Sequence, residues 1–231
     1  MKLRLFGTAV ALALAATLGV IAQQAGVVAP PDVHPISGRR FAQVMSAAGA
    51  DWLSRPERVD EEEPDRALDV LKIQKGAVVA DVGAGSGYMT VKLSKRVGPT
   101  GKVYANDIQP EMLRLLGLRL KADNITNVTL VPGEVDNPRL PASTLDLELM
   151  VDVYHEFSAP QTMLKHLRDA LKPTGRLVLF EYRKEDPSIP IRPDHKMSVA
   201  EAKMEVEAEG FTLASVDERL PRQHILVFSK N

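Results

Sequence analysis

The chain has no cysteine. Disulfides, thiolate metal sites and thiol nucleophiles are therefore excluded, and the redox compartment leaves no mark on the sequence. Excess charge of either sign is also missing: 29 Lys and Arg stand against 30 Asp and Glu, a net charge of −1. A protein so balanced offers no bulk basic field to nucleic acid. Internal repeats and low-complexity tracts are absent, and there is one tryptophan, Trp52. None of the five histidines (His34, His155, His166, His195, His224) pairs with another at a metal-ligand spacing, so no metal site is expected. What remains is an ordinary globular composition, 45% apolar and 26% charged over 231 residues. That suits one domain with an appendage.

The appendage is the N-terminus. Lys2 and Arg4 precede an uncharged Ala/Leu-rich run from Leu5 to Ala22, which Gln23 and Gln24 interrupt. A basic start, an apolar run and small residues at Ala22 and Ala25 predict a signal peptide over residues 1–24, or a membrane anchor if the run is retained. Lys2 and Arg4 would stay in the cytoplasm and the domain would be exported, periplasmic or secreted, or anchored at the membrane. Any membrane contact is expected through this segment alone. Residues 25–37, with three prolines, read as a linker. Gly38 to Leu53 reads as an amphipathic helix. Glu57 to Leu71 reads as a second, with Glu61, Glu62 and Glu63 forming a solvated start. Together they would make a helical cap over residues 38–72.

From Lys72 strand and helix patterns alternate, which implies a parallel sheet covered on both faces. Strands are expected at 77–82, 102–106, 127–131, 145–151 and 176–182, and helices at 88–97, 109–122 and 160–171. Asp146 reads as a structural residue at the start of the fourth strand. A polar, proline-rich loop, 183–197, leads to a helix opened by Ser198 with Glu201 three residues on and closed by Gly210. Two alternating runs, 212–219 and 224–229, form a closing hairpin.

The most informative stretch is Val78-Val79-Ala80-Asp81-Val82-Gly83-Ala84-Gly85-Ser86-Gly87-Tyr88. A buried strand runs into three glycines at alternate positions and then a helix, an arrangement that lets backbone approach a nucleotide-like ligand. The spacing is not the Gly-x-Gly-x-x-Gly of dinucleotide binders, and no Lys-Ser or Lys-Thr follows as in a Walker loop. At the tip of the second strand stands Asp107, able to accept both hydroxyls of a ribose or, alternatively, to cap the helix ahead of Pro110.

These features resemble the class I S-adenosylmethionine-dependent methyltransferases, whose first motif is an acid, one apolar residue and this glycine series. The resemblance implies a Rossmann-like, doubly wound α/β fold: a mostly parallel seven-stranded sheet with a C-terminal antiparallel hairpin and an N-terminal cap. It implies S-adenosyl-L-methionine as cofactor, along Asp81, Gly83, Ala84, Gly85, Gly87 and Tyr88, with the ribose on Asp107 and the adenine near Ile108. The family's Gly-Asp-Ala after the third strand is here Gly133-Glu134-Val135, so Glu134 and Val135 would flank the adenine, with Asp136 as an alternative acid. The family places the methyl-bearing end after the fourth strand, where this chain has Asp152-Val153-Tyr154-His155-Glu156. Asp152 is expected at the cofactor and, with Tyr154 and His155, at the reaction. His155 suits a general base, its ordinary pKa being near neutrality, although a capping role is the alternative.

The Asn/Asp-Pro-Pro-Tyr motif of the amine-directed branches that methylate DNA and protein glutamine is missing, which argues against those substrates, and a small-molecule acceptor is expected. Arg183, Lys184, His195 and Lys196 flank the loop where this family often builds its acceptor pocket, or are solvated loop charges. Trp52 is expected as a packing anchor, with a substrate platform in the cap as the alternative. An exported domain sits uneasily with a methyl donor made in the cytoplasm. The rival readings are a non-catalytic nucleoside-binding protein of the same fold and a nicotinamide-dependent oxidoreductase, which the glycine spacing disfavours.

Overall fold

The computed structural model describes residues 32–231. The expected signal or anchor segment, 1–24, and residues 25–31 of the linker lie outside the described residues. Strand β1 (Val78–Val82) is central, flanked in parallel by β2 (Lys102–Asp107) and β4 (Leu145–Val151). Beyond them lie β3 (Val128–Pro132) on β2 and β5 (Leu171–Arg183) on β4, also parallel. The closing hairpin, β7 (Phe211–Asp217) and β8 (Gln223–Lys230), adds antiparallel through β8. The order is β3-β2-β1-β4-β5-β8-β7, the expected seven strands, while a two-residue β6 (Lys196–Met197) also pairs with β5. This eighth strand was hidden in a loop-like sequence because two residues carry no alternation.

Side chains of period two divide the core between the sheet's faces. Val79, Val103 and Leu149 pack with Leu68 of α2 (Pro64–Val70) and Leu93 of α3 (Tyr88–Val97). Ala80, Val82 and Met150 pack with Leu164 and Leu167 of α5 (Pro160–Ala170) and Val206 of α6 (Val199–Glu207). Ala105 and Ala84 meet Leu113 and Leu116 of α4 (Pro110–Ala122). Leu68 and Leu164 are wholly buried, and truncating such a residue to alanine costs about 2–5 kcal/mol. Ser198 and Glu201 form the expected capping box, and Gly210 takes φ +84° just after α6. Among the described residues no helix is long and apolar enough to cross a membrane.

The N-terminal cap departs from expectation in three ways. Residues 38–46 are not helical, and only a 3-10 segment, Ala47–Ser54, forms, opened by the Ser46 hydroxyl. The preceding backbone is used elsewhere: the Ala42 N–H donates to the His155 carbonyl and Phe41 N–H to the Asp32 carbonyl. Buried Arg39 forks onto Glu205 of α6 with bonds of 3.1 and 3.0 Å, and Ser37 also donates to Glu205. Residues 32–37, expected as linker, are thus tied to the domain. The second helix splits into α1 (Arg58–Glu62) and α2, because Pro64 restricts the residue before it, and Glu63 sits at φ +44°. Glu62, expected on a solvated start, is buried and accepts from Arg55, Arg58 and the Tyr182 hydroxyl.

Candidate active site

In open α/β sheets ligands bind beyond the carboxyl ends of the strands, where the strand order reverses. Here that point lies between β1 and β4, and a cavity of about 680 Å³ opens there. Gly83, Gly85 and Asp107 form one wall, Asp152, His155 and Glu156 another, and Met45, Trp52 and Leu53 of the cap a third.

The first wall is built of backbone. Gly83 lies at φ +73° and Gly85 at φ +53°, in the left-handed region that side chains disfavour. A Cβ on Gly83 would stand 2.5 Å from Val153 Cγ2, and one on Gly85 2.7 Å from Leu53 Cδ1. The Gly83 and Ala84 N–H groups donate to the Asn106 carbonyl at 2.9 and 2.8 Å, fixing the loop to the end of β2. Asp107 completes the fixation: Oδ2 accepts from the Gly85 N–H and Oδ1 from the Gln109 N–H, both at 2.8 Å. Burial raises its pKa despite these donors. Each oxygen keeps a lone pair for a ligand hydroxyl, so the capping and ribose readings coexist in one carboxylate.

Asp81 lies behind this wall. It is buried and accepts from the Thr90 hydroxyl at 2.5 Å, with Arg58 nearby. Burial pushes its pKa up to about 6. With Ala84 and Tyr88 it lines a small side chamber next to the main cavity. Arg58 spans both chambers, its guanidinium 4.5 Å from the Tyr88 ring centroid.

The opposite wall is built of side chains. Asp152 takes φ +56° after β4, and its Oδ2 accepts from Gln223 of β8 at 2.7 Å. Its Oδ1 has no partner among the described residues. Burial, reinforced by Glu62 and Glu181, raises its pKa well above the carboxylate range. His155, in the 3-10 turn Tyr154–Glu156, is buried. Its Nδ1 lies 2.5 Å from Glu181 Oε2 of β5 and its Nε2 3.1 Å from His195 Nδ1. Burial alone would lower the pKa of His155, but the Glu181 carboxylate outweighs it and the net shift is upward. Burial raises Glu156 to about 7, and burial lowers His195.

The structure brings Gly83, Gly85, Asp107, Ile108, Val135, Asp152 and His155 onto one cavity. Ala84, Tyr88 and Asp81 border the side chamber, and Gly87 at φ +87° sits at the N-terminus of α3 beneath Leu116. Two residues fall elsewhere. Tyr154 is wholly buried in the core, its hydroxyl without a partner among the described residues and its ring edge-on to Phe157, so it does not line the cavity. Glu134 is exposed and pairs with Arg139 outside the lining, and Asp136 is exposed too. Of the four loop residues only His195 reaches the cavity. Arg183 pairs with Glu218 and Lys184 with Glu201, while buried Lys196 clamps the loop through the Asp186 and Ile189 carbonyls. Trp52 is no core anchor: it is 43% exposed at the cavity, under the Arg55 guanidinium. Asp146 is structural as expected, bonded to the Val78 N–H and Lys172.

Sequence reasoning missed Glu181, Arg58, Glu62 and Gln223. A signal was present for Glu181, a charge inside the apolar run Leu177–Tyr182. Arg58 and Glu62 pair at a four-residue spacing common on any helix, and Gln223 lies far from Asp152 in the chain, so nothing in the sequence ties them to the site.

Residues 79–175 match the model of a family described as "Methyltransferase domain". A solved S-adenosylmethionine-dependent methyltransferase from Aquifex aeolicus is 28% identical with a TM-score of 0.76, over 80% of this chain and 98% of that one. Both matches are consistent with the class I S-adenosylmethionine-dependent methyltransferase family. Among curated relatives, a demethylmenaquinone methyltransferase from a Geobacillus strain is 31% identical over 111 residues, 48% of this chain and 47% of that protein. A ubiquinone/menaquinone biosynthesis C-methyltransferase from Escherichia fergusonii is 30% identical over 118 residues, 51% of this chain and 47% of that one. The chain thus spans about half the length of the curated relatives it matches.

The family's cofactor is S-adenosylmethionine, and the residues present fit it. The glycine loop leaves room where any Cβ would collide, Asp107 retains acceptor capacity, and Asp152 Oδ1 is a buried acceptor without a donor.

Proposed function

We propose that this protein transfers a methyl group from S-adenosylmethionine to an apolar small molecule bearing an acidic hydroxyl, such as a substituted phenol or hydroquinone. The observation that carries this reading is the composition of the main cavity. The glycine loop and Asp107 stand at one side, and the other sets apolar side chains (Val44, Met45, Phe157, Met163, Ile191) around a polar group of Asp152, His155, Glu156 and His195, with Gln43, Ser158 and Arg192 also on the lining. An acceptor with a greasy body and one polar end fits such a chamber. The quinone-directed names of the curated relatives support the same class.

The bound cofactor would supply an activated methyl on a sulfonium. Gly83, Gly85 and Asp107 would hold its nucleoside, and Asp152 would accept from a donor group at its other end. Glu181 fixes the His155 ring through Nδ1, and Nε2 turns to His195 Nδ1 at the cavity, so an acceptor hydroxyl would meet the two imidazoles together. The cap and the apolar wall exclude water and align the acceptor, and such alignment supplies much of the acceleration in this kind of transfer.

The test is incubation with methyl-labelled S-adenosylmethionine and a panel of alkylated phenols and hydroquinones beside polar acceptors of equal size. Label should enter the apolar phenols. Label confined to polar acceptors, or none transferred, would overturn the reading. On the apolar acceptor, Glu181→Gln should lower kcat by about 10-fold or more while cofactor affinity stays within about two-fold, since Glu181 acts through His155.

A further inference from the structure

His155 and Glu156 leave the end of β4 on one 3-10 turn, and His195 closes another, Pro193–His195, just ahead of β6. Sequence spacing gives no hint that these meet, since 40 residues separate the two histidines. In the fold, one ligand atom from each of the three side chains lies within 4.8 Å of the others. We propose that His155 Nε2, His195 Nδ1 and a Glu156 carboxylate oxygen form a site for a divalent transition-metal ion at the acceptor end of the cavity.

Four features of the cluster support this. The two imidazole nitrogens are 3.1 Å apart, the spacing of two nitrogens that each lie ~2.0–2.1 Å from one ion. His155 turns its other nitrogen, Nδ1, onto the buried Glu181 carboxylate. A carboxylate behind a histidine fixes its tautomer and strengthens it as a ligand. Glu156, partly buried at the cavity, accepts from the Met45 backbone and has no side-chain partner among the described residues, which leaves a carboxylate oxygen for a cation. All three residues border the cavity, so a bound ion would keep positions open to it, as catalytic sites do and closed structural sites do not.

Two imidazoles and one carboxylate suit zinc, manganese, cobalt or iron(II) rather than magnesium or calcium, which prefer oxygen alone. The ion would take the acceptor's hydroxyl oxygen into an open position, and that hydroxyl's proton would pass to solvent as the oxygen binds. This deepens the methyltransferase reading and rests on it for the acceptor. The binding of the ion itself does not, because it can be measured without cofactor or acceptor. Nε2 of His155 cannot both ligate an ion and accept a proton, so the two uses exclude each other.

The experiment is titration of the chelator-treated full-length chain with Zn²⁺ by calorimetry and with Co²⁺ by visible absorption. One equivalent should bind, and Co²⁺ should show the intense ligand-field bands of a site with fewer than six ligands. His195→Ala, on an exposed turn, and Glu156→Gln should each weaken binding at least about 10-fold, and Glu181→Gln about 10–100-fold. The exposed His166→Ala should change nothing. Absence of stoichiometric binding, or binding that His195→Ala and Glu156→Gln leave intact in folded protein, would overturn the site. Calorimetry with S-adenosylmethionine on the same samples separates the two ideas: cofactor binding without metal removes the ion and keeps the methyltransferase reading.

Discussion

Along β1 and β2 the cavity wall is backbone: Gly83, Gly85 and the amides that Asp107 holds, all within one strand–turn–helix unit and the next strand tip. Along β4 and β5 it is side chain: Asp152 needs Gln223 of β8, and His155 needs Glu181 of β5 and meets His195 from before β6. The first wall can serve any ligand that carries the same nucleoside, because backbone geometry reads shape and little else. The second is assembled from distant segments, each free to vary, and it is where an acceptor would be chosen. A fold of this kind separates the shared half of a reaction from the particular half.

The sharpest way to break this division is to put a side chain on the backbone wall. Gly83→Val introduces a branched Cβ at φ +73° and 2.5 Å from Val153. Cofactor binding should fall below detection by calorimetry; retained binding would mean the loop is not the cradle.

Asp81 sharpens the comparison through stability instead of affinity. Its folded pKa of about 6 exceeds the ordinary 3.8 because burial disfavours the charge, with Asp107 adding to this and Thr90 and Arg58 opposing it. Protonation therefore favours the folded state: that stabilisation is whole below pH 4 and is lost as pH rises through 6. Relative to Asp81→Asn, the parent should lose up to about 3 kcal/mol between pH 4 and pH 8 in denaturant titrations. Equal pH slopes for the two proteins would contradict this.

Asp107→Ala removes the acceptor for the Gly85 N–H as well as a ligand contact. A charged hydrogen bond of this type is worth about 1.5–3 kcal/mol, so cofactor affinity should drop about 10–100-fold. The smallest effect belongs to Glu134→Ala. With its carboxylate exposed and paired to Arg139, the change should leave cofactor affinity within about two-fold, as surface ion pairs contribute little. A larger loss would return Glu134 to the adenine.

The backbone wall was legible in the sequence because its signals are local: three glycines, an acid at a strand tip, a change from period two to helical period. The strands from β1 to β5 followed for the same reason. The side-chain wall was half legible. Position after β4 marked Asp152 and His155, but the partners that orient them come from β5, β8 and a loop, and nothing short-range couples those stretches. Tyr154 was misplaced because adjacent residues on a 3-10 turn point different ways, and the core took its ring. The cap was least legible. Residues 38–46 carry a weak helical pattern, yet buried Arg39 on Glu205 and Ala42 on the His155 carbonyl hold them extended.

The central claim is that the glycine wall binds S-adenosylmethionine. Calorimetry of the purified chain with S-adenosylmethionine and S-adenosylhomocysteine tests it directly. The structure predicts one equivalent of each bound, with binding abolished by Gly83→Val. A folded protein that binds neither would contradict it.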